Sequence, residues 1–273
     1  MGRIEKQDIW LEHTEEWRRV RVYVPEAYDL EPERVFPVLY MTDAQNIFSD
    51  SVHETLAGLS WRVDEVLAGM EKWGEGGEIV VVAIDHADER RFGEYSPFDN
   101  HYSAKWPLFN GQIIEGRGET FTEFFVHTLI PWAHEHYRIS ATETALAGSS
   151  MGGLIALYMA TRHPDAFKHV GAFSTALWAC QDEMLDYLLK AAWSPEQTYH
   201  LHVGTAENAP LGIPGLKQIY VDNALAIQNA LLRNGMPPDR VRLFVHVGGA
   251  HSEAAWHKQI RGFIEQAFGD AAA

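Results

Sequence analysis

A serine flanked by glycines is the first feature of this chain that could do chemistry. Residues 148–153 read Gly-Ser-Ser-Met-Gly-Gly, a G-x-S-x-G element with Ser150 at its centre. An apolar run at 144–147 precedes it and a helix-forming run at 154–161 follows it, as at the sharp strand-to-helix turn that exposes a nucleophilic serine. We therefore expect Ser150 to be a nucleophile rather than part of a plain turn closing a βα unit.

A serine hydroxyl needs a base to take its proton, and the chain has 14 histidines from which position must choose. His251 follows the last predicted strand, in a glycine-containing loop just before the final predicted helix. That is the place of the base in doubly wound hydrolases, so we expect His251 to be the base. His246, His257 and His202 are weaker candidates, because two of them lie within regular elements.

The acid that orients the base should lie between the serine and the histidine in sequence. Glu207 follows a predicted strand at 199–203, so it lies at the sheet edge from which a carboxylate can reach an imidazole on the next loop. Asp222 falls within a predicted helix, and the acidic residues of 182–186 are expected to face solvent. We therefore predict that Glu207 is the acid, although aspartate is commoner there.

The negative oxygen formed during acyl transfer needs preorganised hydrogen-bond donors. The backbone N–H of Met151, directly after the serine, is the first predicted donor. The second is expected from the loop at 42–46, which follows an earlier predicted strand.

Alternation of apolar and helix-periodic stretches predicts one α/β domain over residues 1–273, with a mostly parallel sheet flanked by helices. Predicted strands lie at 20–25, 36–41, 79–84, 144–147, 169–173, 199–203 and 242–247, and predicted helices at 56–70, 121–137, 154–161, 219–234 and 254–268. The first strand alternates with period two, which predicts one solvent-facing side. Residues 86–120 and 174–195 have no clear period and are expected to be loops that cover the site.

The bulk composition excludes several classes of partner. A net charge of −16, from 22 Lys and Arg against 38 Asp and Glu, argues against nucleic acid. The single cysteine, Cys180, cannot form an intrachain disulfide, which suits a reducing compartment, and a packing role is expected for it. Neither a signal peptide nor a membrane-spanning stretch is visible. We expect a cytoplasmic protein without membrane partners, and homo-oligomer formation stays open.

The block YMTDAQNIF at 40–48 resembles the Y-M-x-D-G-Q-N-x-F block of the Putative esterase family. That family includes esterase D-like, enterochelin esterase-like and feruloyl esterase-like enzymes. One further similar block precedes it at 22–29, and four more follow it in order at 81–97, 129–138, 148–153 and 249–256. The resemblance implies an α/β-hydrolase fold, a small-molecule ester substrate, an acyl-serine intermediate, and no metal or other cofactor.

Carried over by position, the resemblance implies that the N–H of Gln45 is the second oxyanion donor. It also places the family's acid at Glu207. Ala44 stands where the family usually has glycine, and it would be strained if that position needed a positive φ. The residues predicted to contact substrate are Asn46, Trp106 and Trp178.

These features together predict a serine-dependent carboxylic ester hydrolase for a small to medium ester. A siderophore trilactone hydrolase is one alternative function. Such ligands are anionic, so this enzyme would need cations near the site. The candidate cations are Arg90, Arg91, Lys105 and Arg117. A feruloyl or acetyl-polysaccharide esterase, an acyltransferase, and a non-catalytic binding module on the same scaffold are also compatible with the sequence.

Overall fold

A computed structural model describes residues 2–53, 59–100, 103, 109–207 and 215–269. The chain has an α/β fold with a mostly parallel, eight-stranded sheet flanked by helices, as the sequence predicts. Trp106 lies outside the described residues, so its role in substrate binding stays a prediction.

Eight strands form the sheet, and each predicted strand corresponds to one of them. They are β1 Arg3–Leu11, β2 Glu16–Val24, β3 Phe36–Thr42, β4 Val80–Ile84, β5 Ile139–Ser149, β6 His169–Phe173, β7 Thr198–Ala206 and β8 Val241–Ala250. Their order in the sheet is β1-β2-β4-β3-β5-β6-β7-β8. β2 pairs antiparallel with β1 and β4, whereas the pairs β3/β4, β6/β7 and β7/β8 are parallel.

The described residues form α-helices between these strands. They are α1 Ala27–Leu30, α2 Val63–Trp73, α3 Arg91–Glu94, α4 Gly118–Phe124, α5 Ile130–His136, α6 Met151–Arg162, α7 Gln181–Leu188, α8 Leu216–Arg233 and α9 Glu253–Phe268. A π-helical turn, Phe125–Leu129, separates α4 from α5 within the helix predicted at 121–137. α3 and α7 lie in the stretches 86–120 and 174–195, which were predicted to be loops. None of the described helices is long and apolar enough to span a membrane.

The chain divides into two compact units, each built from separate stretches of sequence. Unit 1 comprises Met1–His86, Phe124–Leu146 and Ser252–Ala273, and unit 2 comprises Ala87–Glu123 and Ala147–His251. The single domain over residues 1–273 stays a prediction.

In unit 1, the solvent-facing side predicted for the strand at 20–25 is wrong, because residues 20–24 are all buried. Arg21 is only 2% exposed, and two of its nitrogens donate to the two carboxylate oxygens of Asp85 at 2.9 and 3.0 Å. Its third nitrogen donates to the hydroxyl of Ser51 at 3.0 Å. A period-two pattern cannot distinguish such a paired arginine from one that faces solvent.

β1 is a strand that the sequence did not predict. Its sequence mixes charged and apolar residues, and only Ile9 and Leu11 are buried. The strand forms because its backbone pairs with β2 along its whole length, from Arg3 opposite Val24 to Leu11 opposite Glu16. An edge strand of this kind carries little hydrophobic signal.

Two helices cover the strands of unit 2. α6 packs on β6, and α8 packs on β7 and β8. Every residue of α6 from Met151 to Thr161 is buried, as expected for a helix that is apolar on all sides.

His202 of β7 belongs to this core, and it is 2% exposed. Neither ring nitrogen has a hydrogen-bond partner among the described residues, and the ring lies 5.5 Å from that of Phe173. Burial, together with the nearby His200, lowers the pKa of His202 to about 4. The imidazole is therefore neutral and has a packing role.

We expect His202→Leu to change how stability depends on pH. The unfolded chain binds a proton on His202 below its ordinary pKa of 6.5, whereas the folded chain does not until about pH 4, so this residue makes stability fall as pH falls between those values. The stability difference between His202→Leu and wild type should therefore shift in favour of the variant by about 2 kcal/mol between pH 7 and pH 5.

Urea unfolding at the two pH values measures this shift. Val203→Ala, at the buried next residue of β7, changes no titratable group; it is the control and should keep the wild-type pH dependence. The same pH dependence in His202→Leu and wild type would contradict the assignment.

Candidate active site

Ser150 occupies a sharp turn between β5 and α6. Its backbone has φ 56° and ψ −121°, a conformation that non-glycine residues rarely adopt. Two backbone hydrogen bonds hold it there, since its N–H donates to the carbonyl of Phe173 at 2.9 Å and its carbonyl accepts from the N–H of Ala176 at 3.0 Å. The residues after β6 therefore stabilise the turn that presents Ser150.

Small residues around the serine are required by close packing. A Cβ on Gly153 would lie 3.1 Å from the hydroxyl oxygen of Thr175 and 3.2 Å from the carbonyl of Gly148. The G-x-S-x-G signal in the sequence thus corresponds to a crowded strand-to-helix turn.

Met151 is the first residue of α6, and it is 1% exposed. N–H groups in the first turn of a helix have no partner within the helix. Here Leu154 is the residue whose N–H bonds back to the carbonyl of Ser150, at 3.1 Å. The N–H of Met151 lies earlier in this turn, next to the serine, and its role as an oxyanion donor stays a prediction.

Glu207 and His251 form a hydrogen-bonded pair. Nδ1 of His251 lies 2.8 Å from Oε2 of Glu207, and the carboxylate side chain is fully buried. The other carboxylate oxygen accepts from the hydroxyl of Ser174 at 2.6 Å and from the N–H of Gly204 at 2.7 Å. Three donors therefore fix the carboxylate, and an acceptor at Nδ1 favours the tautomer whose Nε2 is free to take a proton.

The ends of β7 and β8 approach closely, and this brings the loops of Glu207 and His251 together. A Cβ on Gly204 would collide with the backbone of Gly249, so only glycine fits at this contact. Gly248 has φ 78°, which lets the chain turn just before His251. The pairing of β7 with β8 also shifts register between Gly204 and Ala206.

Tyr220 of α8 connects His251 to Ser150. Its ring lies 4.7 Å from the imidazole of His251, at an interplanar angle of 38°. Its hydroxyl lies near the side chains of Trp178 and Ser150, which partly offset the rise in its pKa that burial causes. The structure thus places Ser150, His251 and Glu207 together in unit 2, and their catalytic roles stay predictions.

Trp178 and Cys180 lie just after β6. Trp178 is 5% exposed and belongs to a short 3₁₀ helix, Leu177–Ala179. Burial raises the pKa of the Cys180 thiol to about 12, which suits the packing role expected for it. The structure therefore places Trp178 beside Tyr220, and its contact with substrate stays a prediction.

Gln45 and Asn46 lie in unit 1, in a 3₁₀ turn after β3. The positive φ in this region, 60°, falls on Asp43, so Ala44 adopts a helical conformation without strain. The side-chain amide of Gln45 bonds both the N–H and the carbonyl of His86, at 2.9 and 3.1 Å. Asn46 Nδ2 lies 3.4 Å from Oε1 of Glu253. The roles assigned to Gln45 and Asn46 stay predictions.

The weaker histidine candidates have different surroundings. Nδ1 of His257 contacts the carbonyl of Trp61 at 2.8 Å, in unit 1. His246, within β8, lies 6.0 Å from the buried ring of His202. Sequence reasoning did not identify Ser174 or Tyr220, since an isolated serine after a strand and a tyrosine within a helix carry no motif.

Solved structures of similar fold include three named hydrolases. An IroE-like serine hydrolase from Shewanella oneidensis has a TM-score of 0.70 and 17% identity, with 96% of this chain and 81% of that chain covered. A ferulic acid esterase from Anaeromyces mucronatus has a TM-score of 0.66 and 22% identity, with 99% and 92% covered. The enterobactin esterase from Shigella flexneri has a TM-score of 0.71 and 17% identity, with 98% and 60% covered. At these identities the similarity shows the fold.

Relatives are also found by sequence. The uncharacterized protein YbbA of Bacillus subtilis (strain 168) is 20% identical over 262 residues, which cover 94% of this chain and 95% of that protein. The profile of a protein family described as "Putative esterase" matches residues 12–266. Because this match extends over nearly the whole sequence, the chain belongs to the Putative esterase family.

Proposed function

We propose that the protein is a serine-dependent carboxylic ester hydrolase that cleaves a small to medium ester through an acyl-serine intermediate. The observation that carries the proposal is the 2.8 Å contact between the buried carboxylate of Glu207 and Nδ1 of His251. The ring of Tyr220 contacts this histidine, and its hydroxyl lies near the strained Ser150, so both residues border the same side chain. A buried carboxylate, an imidazole and a serine in this relation form the arrangement that activates a hydroxyl for acyl transfer.

In the first half of the reaction, Oγ of Ser150 attacks the ester carbonyl while Nε2 of His251 takes the hydroxyl proton. The buried Glu207 stabilises the imidazolium that forms. The tetrahedral intermediate then expels the alcohol, whose oxygen receives the proton from His251. An ester between Ser150 and the acyl group is left.

In the second half, water attacks the acyl-serine ester and His251 takes a proton from it. The second tetrahedral intermediate collapses, Ser150 regains its proton, and a carboxylic acid leaves. In both halves the N–H of Met151 is proposed to donate to the oxyanion, with Gln45 as the second donor implied by family resemblance. An acyltransferase would differ only in that an alcohol replaces water.

A second candidate substrate class is an anionic ester, and one cation favours it. The positive charge of Arg91 acts on the hydroxyl of Tyr220, in a chain with a net charge of −16. Arg91 is half-buried and lies over the ring of Tyr95, 5.2 Å from its centroid. One structure of similar fold is an enterobactin esterase, and a siderophore trilactone is therefore one ester to test.

The remaining candidate cations favour this class less. Arg90 is exposed, and the exposed Arg117 forms an ion pair with Glu115 at 3.2 Å. Lys105 lies outside the described residues.

Ser150→Ala is expected to abolish both ester hydrolysis and labelling by a fluorophosphonate probe, because the attacking oxygen is removed. His251→Ala should lower kcat by at least about 10⁴-fold, since the members of a triad act as a unit. Intact-mass analysis after labelling, beside a pH-stat assay on ethyl butyrate, measures both effects.

Ser149→Ala is the matched control, because Ser149 is the preceding, buried residue of β5 and has no assigned chemistry. It should keep its adduct and its turnover. Turnover that persists in Ser150→Ala would overturn the proposed function. An absent adduct on folded wild type would favour the non-catalytic binding module.

Ser174→Ala is expected to lower the free energy of unfolding by about 1.5–3 kcal/mol, because a buried carboxylate loses one of its donors. Urea unfolding measures this loss. The matched control is Ser194→Ala, whose hydroxyl forms no hydrogen bond with the described residues and which should unfold like wild type. Equal stability of Ser174→Ala and wild type would show that the Glu207 carboxylate does not depend on this hydroxyl.

Arg91→Met is expected to lower kcat/KM for a monoanionic ester, monoethyl glutarate, by about tenfold, because one attractive charge is lost near the reacting carbonyl. Its kcat/KM for the neutral ester ethyl butyrate should stay within about twofold of wild type. Arg90→Met, a change at the exposed neighbouring arginine, serves as control. An equal effect on both esters would exclude charge recognition by Arg91.

A further inference from the structure

Tyr220 presents a buried hydroxyl that the proposed reaction does not use. The residue is 1% exposed, and its hydroxyl forms no hydrogen bond of normal geometry with the described residues. Buried polar groups in proteins are almost always paired, so an unpaired one beside a candidate nucleophile suggests a partner that arrives during the reaction.

The residues around the Tyr220 hydroxyl indicate which groups it can interact with. The Tyr220 ring is held against the imidazole of His251, and the hydroxyl lies near Trp178 and Ser150. An indole N–H can only donate a hydrogen bond, so Trp178 can interact with Tyr220 only by donating to the phenol oxygen. Such an interaction does not use the phenol proton, which stays available for an acceptor near Ser150.

The phenol remains a donor over the working range of an esterase. Burial raises the pKa of Tyr220, so the hydroxyl keeps its proton at neutral and mildly alkaline pH. A neutral donor of this kind can stabilise a negative oxygen without transferring a proton to it.

Two oxygens at the reacting carbon could accept from this donor. The leaving oxygen receives its proton from His251, so that oxygen already has a donor in the proposed reaction. The oxyanion receives no proton, and it is stabilised only by hydrogen bonds. Within unit 2, the N–H of Met151 at the start of α6 is the predicted donor to it.

We propose that the hydroxyl of Tyr220 is a further catalytic donor, which hydrogen-bonds to the oxyanion formed when Ser150 attacks the ester carbonyl. This inference rests on the proposed function. No bond to Tyr220 forms or breaks, since its proton stays on the phenol oxygen and only the hydrogen bond is gained. Trp178, whose side chain lies near this hydroxyl, is then a positioning residue that orients the phenol.

Tyr220→Phe tests the proposal, because it removes the hydroxyl and keeps the ring against His251. We expect kcat to fall by about 10²–10³-fold, as for the loss of an oxyanion donor, with KM within about threefold of wild type. The loss should be the same for p-nitrophenyl butyrate and ethyl butyrate, because both esters form the same oxyanion. Tyr199→Phe is the matched control, since this buried phenol in β7 donates to Gln197 instead.

The outcomes separate this inference from the proposed function. Wild type without turnover above Ser150→Ala would overturn the proposed function, and the inference with it. Wild-type turnover together with a Tyr220→Phe kcat within about twofold would overturn the inference alone, as would a loss confined to KM. A loss seen only with ethyl butyrate would assign the hydroxyl to the leaving oxygen and overturn the oxyanion assignment.

A second variant tests the proposal if Tyr220→Phe does not fold. Trp178→Phe removes the indole N–H that lies near the phenol oxygen, and we expect kcat to fall by about tenfold. An unchanged kcat in that variant would overturn the proposal.

Discussion

The backbone of Ser150 is held in a conformation that a serine would not adopt on its own, and the candidate site depends on that constraint. The hydrogen bonds that hold it come from Phe173 and Ala176, at the end of β6 and just after it. Between these two residues, Ser174 donates from its hydroxyl to the carboxylate of Glu207. One short segment therefore holds both the turn that presents the serine and the carboxylate that pairs with His251. A displacement of this segment would disturb both together.

Burial determines what each titratable group near the site can do. Glu207 is fully buried, and three hydrogen-bond partners satisfy its carboxylate oxygens where they lie. His202, on the strand that leads to it, is buried without hydrogen-bond partners among the described residues and is neutral. Tyr220 is buried and stays protonated. The same loss of solvent thus produces a fixed carboxylate, an inert imidazole and a lasting hydrogen-bond donor.

The fold and the positions of Ser150, Glu207 and His251 on it were predictable from sequence because they follow from local pattern. The turn at Ser150 and the strand ends before Glu207 and His251 are visible as apolar runs next to glycines. Contacts between distant residues were not predictable in this way. The partners of Glu207 at Ser174 and of Arg21 at Asp85 lie 33 and 64 residues away in sequence, and they leave no local signal. β1 was missed because backbone pairing, rather than an apolar face, holds it.

The close approach of Gly204 and Gly249 has a consequence for how this protein can vary. Glu207 and His251 lie two or three residues beyond these glycines, on strands that touch without intervening side chains. A methyl group at Gly204 would collide with the backbone of Gly249, separate the strand ends and lengthen the contact between carboxylate and imidazole. The proposed activity would therefore be lost by a substitution that leaves the serine, the histidine and the glutamate in place. Such a chain would still look complete to anyone who compared only the serine, the histidine and the glutamate.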